Sequence, residues 1–266
     1  MGFFVQHKRF ALGAAALALG LGVAACNQSQ QGQAGGASDA NAQLKGDNWD
    51  DIAKLPDWTG TWLLTSTVPS PVTTDAEFAV SPDFAKAFAD ARTAGKAGKI
   101  DNHLNECEPN GMPTVMNEKD MQYQFLFTPG RMTVVPEDNQ VRRIYTNRDK
   151  HPDDPDLTYG GESIGHWEGQ TFVVDTVGIL PHLPLIDGFS GKGDQHVVER
   201  MTLKDANTLE IQTTITDSAL AKPYSYTLTY QRHRDMPMVE KLCVPNPSTW
   251  SSVPSVNVPD RVPLNN

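Results

Sequence analysis

Residues 161–178 read GESIGHWEGQTFVVDTVG, and the fold follows from how that string is parsed. Glu168-Gly169 is a turn dipeptide between two runs of strand formers, so 163–167 runs in and 170–177 runs out as a β-hairpin. Val173, Val174 and Val177 suit a pleated surface. The hairpin also carries Glu162, His166, Glu168 and Asp175, more ionisable groups than a plain core strand holds. Asp175, set between Val174 and Thr176, is expected to be partly buried and to need a partner.

Working outward, strand patterns recur at 122–127, 131–135, 141–146, 196–202, 208–216, 224–231 and 239–244. Pro129-Gly130, residues 137–139 and residues 205–207 supply turns between them. Leu63 and Leu64 begin a first strand after a turn at 55–62. Strand after strand with short turns predicts a mostly β fold, an antiparallel meander closed into a barrel, with a β-sandwich as the second choice. One N-terminal helix stands out at 81–92. Ser81 caps it, Pro82 fills its first turn, Gly95 stops it, and Phe84, Phe88 and Ala91 share one face. Residues 101–113 read as a loop that holds Cys107. A single core of this size fits one domain over 49–244. The tail, 245–266, carries Pro245, Pro247, Pro254, Pro259 and Pro263 and so belongs to no sheet.

Residues 1–25 read as a leader. His7, Lys8 and Arg9 precede an apolar run over 10–25 that is short for a membrane span. The run ends at Val23-Ala24-Ala25-Cys26, which resembles a bacterial lipobox and implies that Cys26 is acylated as the first residue of the mature chain. The plainer alternative is an ordinary secretory leader with an incidental cysteine. Asn27 stands where an inner-membrane retention signal places Asp, which by the same resemblance favours an outer-membrane anchor and a domain facing the periplasm. Residues 26–48, rich in Gln, Gly, Ala and Ser, form a tether with a reach of about 25 Å as a flexible coil.

Loss of Lys8 and Arg9 with the leader takes the formal charge from −10 to −12. An exported chain this acidic is a poor partner for nucleic acid or anionic lipid head groups. The membrane partner is instead reached through acyl chains on Cys26. Cys107 and Cys243 remain, and in an oxidising compartment they read as one disulfide, worth ~4 kcal/mol in the chain-entropy model. Two free thiols, or Cys107 as a nucleophile, are the alternatives.

Gly60-Thr61-Trp62 is similar to the Gly-x-Trp that opens the first strand of lipocalins, where the Trp closes the barrel floor. With the run of antiparallel strands, a lipocalin-like barrel is the first choice of fold. Further strings are Phe127-Thr128-Pro129-Gly130-Arg131, Arg142-Arg143-Ile144-Tyr145-Thr146, His151-Pro152, Ser163-Ile164-Gly165-His166-Trp167-Glu168-Gly169, Val174-Asp175-Thr176-Val177-Gly178 and His196-Val197-Val198-Glu199-Arg200. Together they resemble a family of exported β-rich bacterial proteins common in sphingomonads. The resemblance implies export and a β-rich fold and carries over no catalytic residue.

Candidate chemistry centres on His166, Asp175, His196 and Glu199, which are expected to form a polar cluster on adjacent strands. A His oriented by a carboxylate is the usual general base near neutral pH. Arg143 and Tyr145 lie two apart, share a strand face, and suit a ligand carboxylate or carbonyl. The bland alternative is a register-fixing network in which Arg143 or Arg200 pairs with Asp175 or Glu199.

Gly161-Glu162-Ser163-Ile164-Gly165 has the spacing of a nucleophile elbow, but a valine-rich strand follows where an elbow needs a helix, so it reads as strand. His166, His182 and His196 lack the spacings that build a metal face cheaply, and no metal or cofactor is expected. Residues 188–193, GFSGKG, lack Walker spacing and read as a mobile loop, a lid over a barrel mouth.

The function expected is binding of a small, largely apolar molecule in the barrel, with Arg143, Tyr145, His166 and Asp175 as the polar end of the pocket. The alternative is a cofactor-independent lyase, isomerase or hydrolase with His166 as base and Asp175 as its orienter. A structural or interaction lipoprotein of the envelope is the third class.

Overall fold

The computed structural model describes residues 46–74, 76–99, 107–119, 121–186 and 188–241. Its strands in chain order are β1 (Thr61–Leu64), β2 (Gln122–Thr128), β3 (Arg131–Pro136), β4 (Arg142–Tyr145), β5 (Glu162–Glu168), β6 (Thr171–Val177), β7 (Pro184–Ile186), β8 (Phe189–Ser190), β9 (His196–Leu203), β10 (Thr208–Thr216) and β11 (Tyr224–His233). Nine of them close a barrel in the order β1-β11-β10-β9-β6-β5-β4-β3-β2, while β7 and β8 pair separately. The mostly β, lipocalin-like barrel expected from the sequence is the fold, and the sandwich is not.

Alternation decides which side chain faces in. On β9 and β10 the buried set is Val197, Glu199, Met201, Leu209, Ile211, Thr213 and Ile215, every second residue. The interior is filled. Trp62, Tyr123, Met132, Ile144, Phe172, Val174, Met201, Leu228 and Tyr230 each have zero relative exposure. A water-sized void along the lining leaves residual accessible area, so these values exclude one beside them.

One end is plugged by aromatic rings. Trp58 meets Phe125, Phe127 and Trp167 edge-on at centroid distances of 5.6, 5.5 and 6.1 Å. Trp62 donates its indole N–H to the Trp58 carbonyl (3.0 Å) and lies under the Arg232 guanidinium at 4.4 Å. The opposite end is covered by residues 107–117, which include the buried 3-10 turn Thr114–Met116, and by the β7–β8 hairpin.

Four expectations need correction. The barrel is not a pure meander, because β4 and β5 pair in parallel, Ile144 opposite Ser163 and Tyr145 opposite Ile164. Parallel neighbours need a crossover. Residues 146–161 supply it, starting from Thr146, whose N–H bonds the Gly130 carbonyl (3.0 Å), and ending near a bridge between Thr158 and Ile179.

The helix differs in its bounds. A 3-10 turn over Pro82–Phe84 leads into an α-helix at Ala85–Lys96, with Ser81 making no side-chain cap bond and Gly95 inside the helix. Its stop is Gly98 at φ +67°, with Lys99 N–H on the Ala94 carbonyl and Gly98 N–H on the Gly95 carbonyl. Phe88 on its apolar face meets Phe78 and Phe189, both at 5.1 Å.

Residues 239–241 form no strand, although Val239 N–H donates to Gln122 Oε1 (2.9 Å) and Lys241 N–H to the Glu137 carbonyl (2.7 Å). Residues 242–244 lie outside the described residues, as do residues 1–45, Cys26, Cys243 and the tail. Nor is the stretch around 188–193 a lid. Leu183, Leu185, Ile186 and Phe189 are buried, and the Asp217 carboxylate accepts from Lys192 N–H (2.9 Å) and Gly193 N–H (3.3 Å). The stretch is a packed cap on the barrel end.

Two glycines of the central hairpin have structural duties. Gly161 takes φ +66°, a left-handed conformation that lets the crossover enter β5. Gly165 faces inward, where a Cβ would stand 2.5 Å from Phe172 Cζ and 2.8 Å from Ile144 Cγ2.

Candidate functional site

The hairpin separates two polar clusters, one on each face of the same sheet. Inside, Arg142 from β4 and Glu199 from β9 form an ion pair with side-chain exposures of 2% and 0%. The Nη2 that meets Glu199 Oε2 also donates to Thr176 Oγ1 (3.0 Å), and the Thr176 and Ser163 hydroxyls bond each other at 2.8 Å. Ser163, the serine of the elbow-like spacing, is therefore an interior hydroxyl in a strand. Satisfaction of this cluster is incomplete. Arg142 Nε and Nη1 and Glu199 Oε1 are buried without a hydrogen-bond partner among the described residues.

Outside, Asp175 Oδ1 accepts from two imidazoles, His196 Nε2 at 2.6 Å and His151 Nε2 at 3.2 Å. His151 Nδ1 lies 3.4 Å from Glu162 Oε2, and Glu162 Oε1 accepts from Arg148 Nη1 at 2.9 Å. Arg148 in turn stacks over the Tyr145 ring at 3.8 Å. A continuous line of polar contacts thus runs from β9 across β6 and β5 to β4, with the crossover contributing Arg148 and His151. The hydrogen bond from His196 holds the Asp175 carboxyl below its ordinary range, and the same bond lifts the His196 imidazole above its own. His196 is 42% exposed at its side chain, so solvent reaches this pair.

The expected four-residue cluster is thus divided. Asp175 and His196 meet, Glu199 faces the other way, and His166 turns to Glu168 (3.2 Å), which also accepts from Arg200 (2.8 Å). The ion pairing foreseen for Arg143 or Arg200 falls instead to Arg142 with Glu199 and Arg200 with Glu168. Arg143 and Tyr145 share the outward face of β4, and Arg143 has no carboxylate partner among the described residues. Arg148 is absent from the sequence reading, and Arg142, His151 and Glu162 appear in it without a role in the site. For Arg142 a signal existed: alternation puts it on the face of Ile144, hence inside.

Two cavities follow the crossover and a third lies beside the β7–β8 hairpin. A cleft of about 630 Å³ lies between the crossover and β4, lined by Val141, Arg143, Tyr145, Arg148, Pro155 and Tyr159 among others. A smaller cavity of about 180 Å³ shares Val141, Arg142, Tyr159 and Gly160 with that cleft and reaches Gly111 and Val115 of the barrel cap. A third, about 250 Å³, holds His182 and Glu108, whose carboxylate accepts from His182 Nε2 (2.9 Å) and Tyr159 Oη (3.1 Å).

No nucleophilic hydroxyl or thiol is bonded to a ring nitrogen of His151 or His196 among the described residues. The outer cluster can move a proton and can bind polar groups. No family of known proteins matches the chain, and no curated protein does.

Proposed function

We propose that the protein is an exported envelope lipoprotein, held to the outer membrane by acyl chains on Cys26, that binds a small and largely apolar molecule. The observation that carries this reading is the cleft of about 630 Å³ beneath the crossover, set beside a barrel interior packed with buried side chains. The ligand site moves from the lumen to the cleft, which keeps Arg143 and Tyr145 as its polar floor. Val141, Pro152, Pro155 and Tyr159 give it apolar walls, between the charged side chains of Arg148, Asp154, Asp156 and Glu162. Asp175 and His196 lie outside its lining, linked to Glu162 through His151 on the same outer face.

The test is a melting-temperature screen of the purified protein against sterols, aromatic dimers, fatty acids and sugars, with mass analysis of every mixture. A reproducible rise that is lost in Arg143→Ala supports the cleft. A rise unaffected by Arg143→Ala and by Tyr145→Ala sinks it. Palmitate labelling that disappears in Cys26→Ala tests the anchor, and thiol titration of the unfolded, unreduced chain tests the Cys107–Cys243 disulfide.

A second reading, a cofactor-independent enzyme, draws on the 2.6 Å contact of His196 with Asp175. There His196, not His166, is the base and Asp175 its orienter. A compound whose mass changes with the protein, and not with His196→Ala, supports it.

A further inference from the structure

The crossover forms one wall of the cleft and has few ties to the sheet beneath it. Backbone bonds anchor its ends, Thr146 N–H on the Gly130 carbonyl and Thr158 N–H on the Gly178 carbonyl, both at 3.0 Å. Between these anchors, residues 147–157 make no backbone hydrogen bond to the strands among the described residues. There Arg148 and His151 supply every hydrogen bond and ion pair that joins the segment to the sheet, again among the described residues. Arg148 is 43% exposed at its side chain and His151 only 18%. His151 also directly precedes Pro152, which lines the cleft together with Asp154, Pro155 and Asp156.

We propose that His151 latches this wall of the cleft, and that loss of its proton as pH rises loosens the crossover and opens the cleft to ligand. The inference rests on the cleft reading and adds its regulation. It follows from counting hydrogen bonds. One ring nitrogen of His151 faces Glu162 of β5 and the other faces Asp175 of β6, and an ionised carboxylate only accepts. An imidazolium has two N–H groups and ties the crossover to both strands. A neutral ring has one, so it ties to a single strand and turns a lone pair toward the other carboxylate. The bond from His196 holds the Asp175 carboxyl below its ordinary range, so that acceptor stays charged throughout. Neighbouring charges do not replace the lost donor. Arg148 already binds Glu162, and His196 of β9 already binds Asp175 and itself loses charge as pH rises. Arg143 of β4 makes no ion pair among the described residues, and Lys150 faces Asp153 (3.8 Å) within the crossover.

The test follows the isotope-labelled protein by NMR from about pH 5 to about pH 8, the span over which imidazoles change charge. Backbone order parameters of residues 149–157, prolines excepted, report the crossover, and the His151 ring resonances report its protonation. The order parameters are expected to fall from about 0.85 to below about 0.6, with a midpoint that tracks the His151 ring. His151→Gln, which does not titrate, is expected to remove this pH dependence. N-phenyl-1-naphthylamine, an uncharged fluorescent probe, reads the cleft. Its association rate is expected to rise at least about threefold over the same span and to stay flat in His151→Gln.

Order parameters equal at the two ends of the span, or a midpoint that follows the His196 ring instead, overturn the latch. So does a fall that persists in His151→Gln. Probe binding that is lost in Arg143→Ala, with order parameters that never change, keeps the cleft and overturns the latch. A crossover that loosens while the probe's association rate stays flat overturns the gating. Absence of probe binding at every pH also overturns the gating and counts against the cleft, and the order parameters then judge the latch alone.

Discussion

The two faces of β6 and β9 carry comparable chemistry in opposite surroundings. Inside, Glu199 meets Arg142 with both side chains sealed from water; outside, Asp175 meets His196 with side-chain exposures of 37% and 42%. Neighbouring residues on one strand, Asp175 and Thr176, belong to the two different clusters. Water makes the difference. A buried carboxylate that loses its cation has nothing to replace it, while an exposed one is rehydrated at once. The inner pair is therefore part of how the barrel holds together, and the outer pair is free to titrate.

The sharpest way to break the comparison is Arg142→Met. It is expected to cost about 3–5 kcal/mol in urea unfolding because Glu199 is left bare, with most of the loss recovered in Arg142→Met, Glu199→Leu. A single-variant cost below about 1 kcal/mol would show that water reaches the pair after all. Next is Gly165→Ala, where the added methyl meets Phe172 and Ile144. An overpacking cost of roughly 1–3 kcal/mol is expected from the same unfolding curves. Ser163→Ala, which removes one hydroxyl partner of Thr176, should cost about 1 kcal/mol.

Smaller effects are expected outside. Asp175→Asn should leave the free energy of unfolding within roughly 1 kcal/mol of the parent and return the His196 titration, followed by imidazole NMR, toward its ordinary value. The pH dependence has a definite sign. His196 is raised, so its share of stability is full below about pH 6.5 and fades as pH climbs through the raised value. Asp175 is lowered, so its share is present above the ordinary Asp range and is lost only as pH falls through the lowered value. The contact is thus strongest in mildly acidic solution, and Asp175→Asn should flatten that optimum. His166→Gln, on an exposed ring facing Glu168, should change stability by no more than about 0.5 kcal/mol.

Much of the barrel was legible because alternation is local. Each strand expected between residues 122 and 231 is present, with ends moved by two residues or fewer. The same alternation separates Glu199, in phase with Val197 and Met201, from His196, so the division of the expected cluster was also written in the strand pattern. The meeting of His151 with Asp175 was not, since it depends on where the crossover lies. Nothing in the vicinity of His151 marks it as the partner of a carboxylate 24 residues further on.

By itself the sequence determined the strands and the sidedness of most side chains, because a pleat of period two leaves no other choice once one face is apolar. The central hairpin was also legible, although its two loop residues are Gly169-Gln170 rather than Glu168-Gly169, Glu168 being paired with Thr171. Only the tertiary structure decided that β4 and β5 run parallel, that residues 146–161 cross outside the barrel, and that the lumen is filled so that the open cleft lies on its flank. Those outcomes depend on how volumes from distant segments sum in a closed space and on which strands become neighbours, and neither is encoded in any local period.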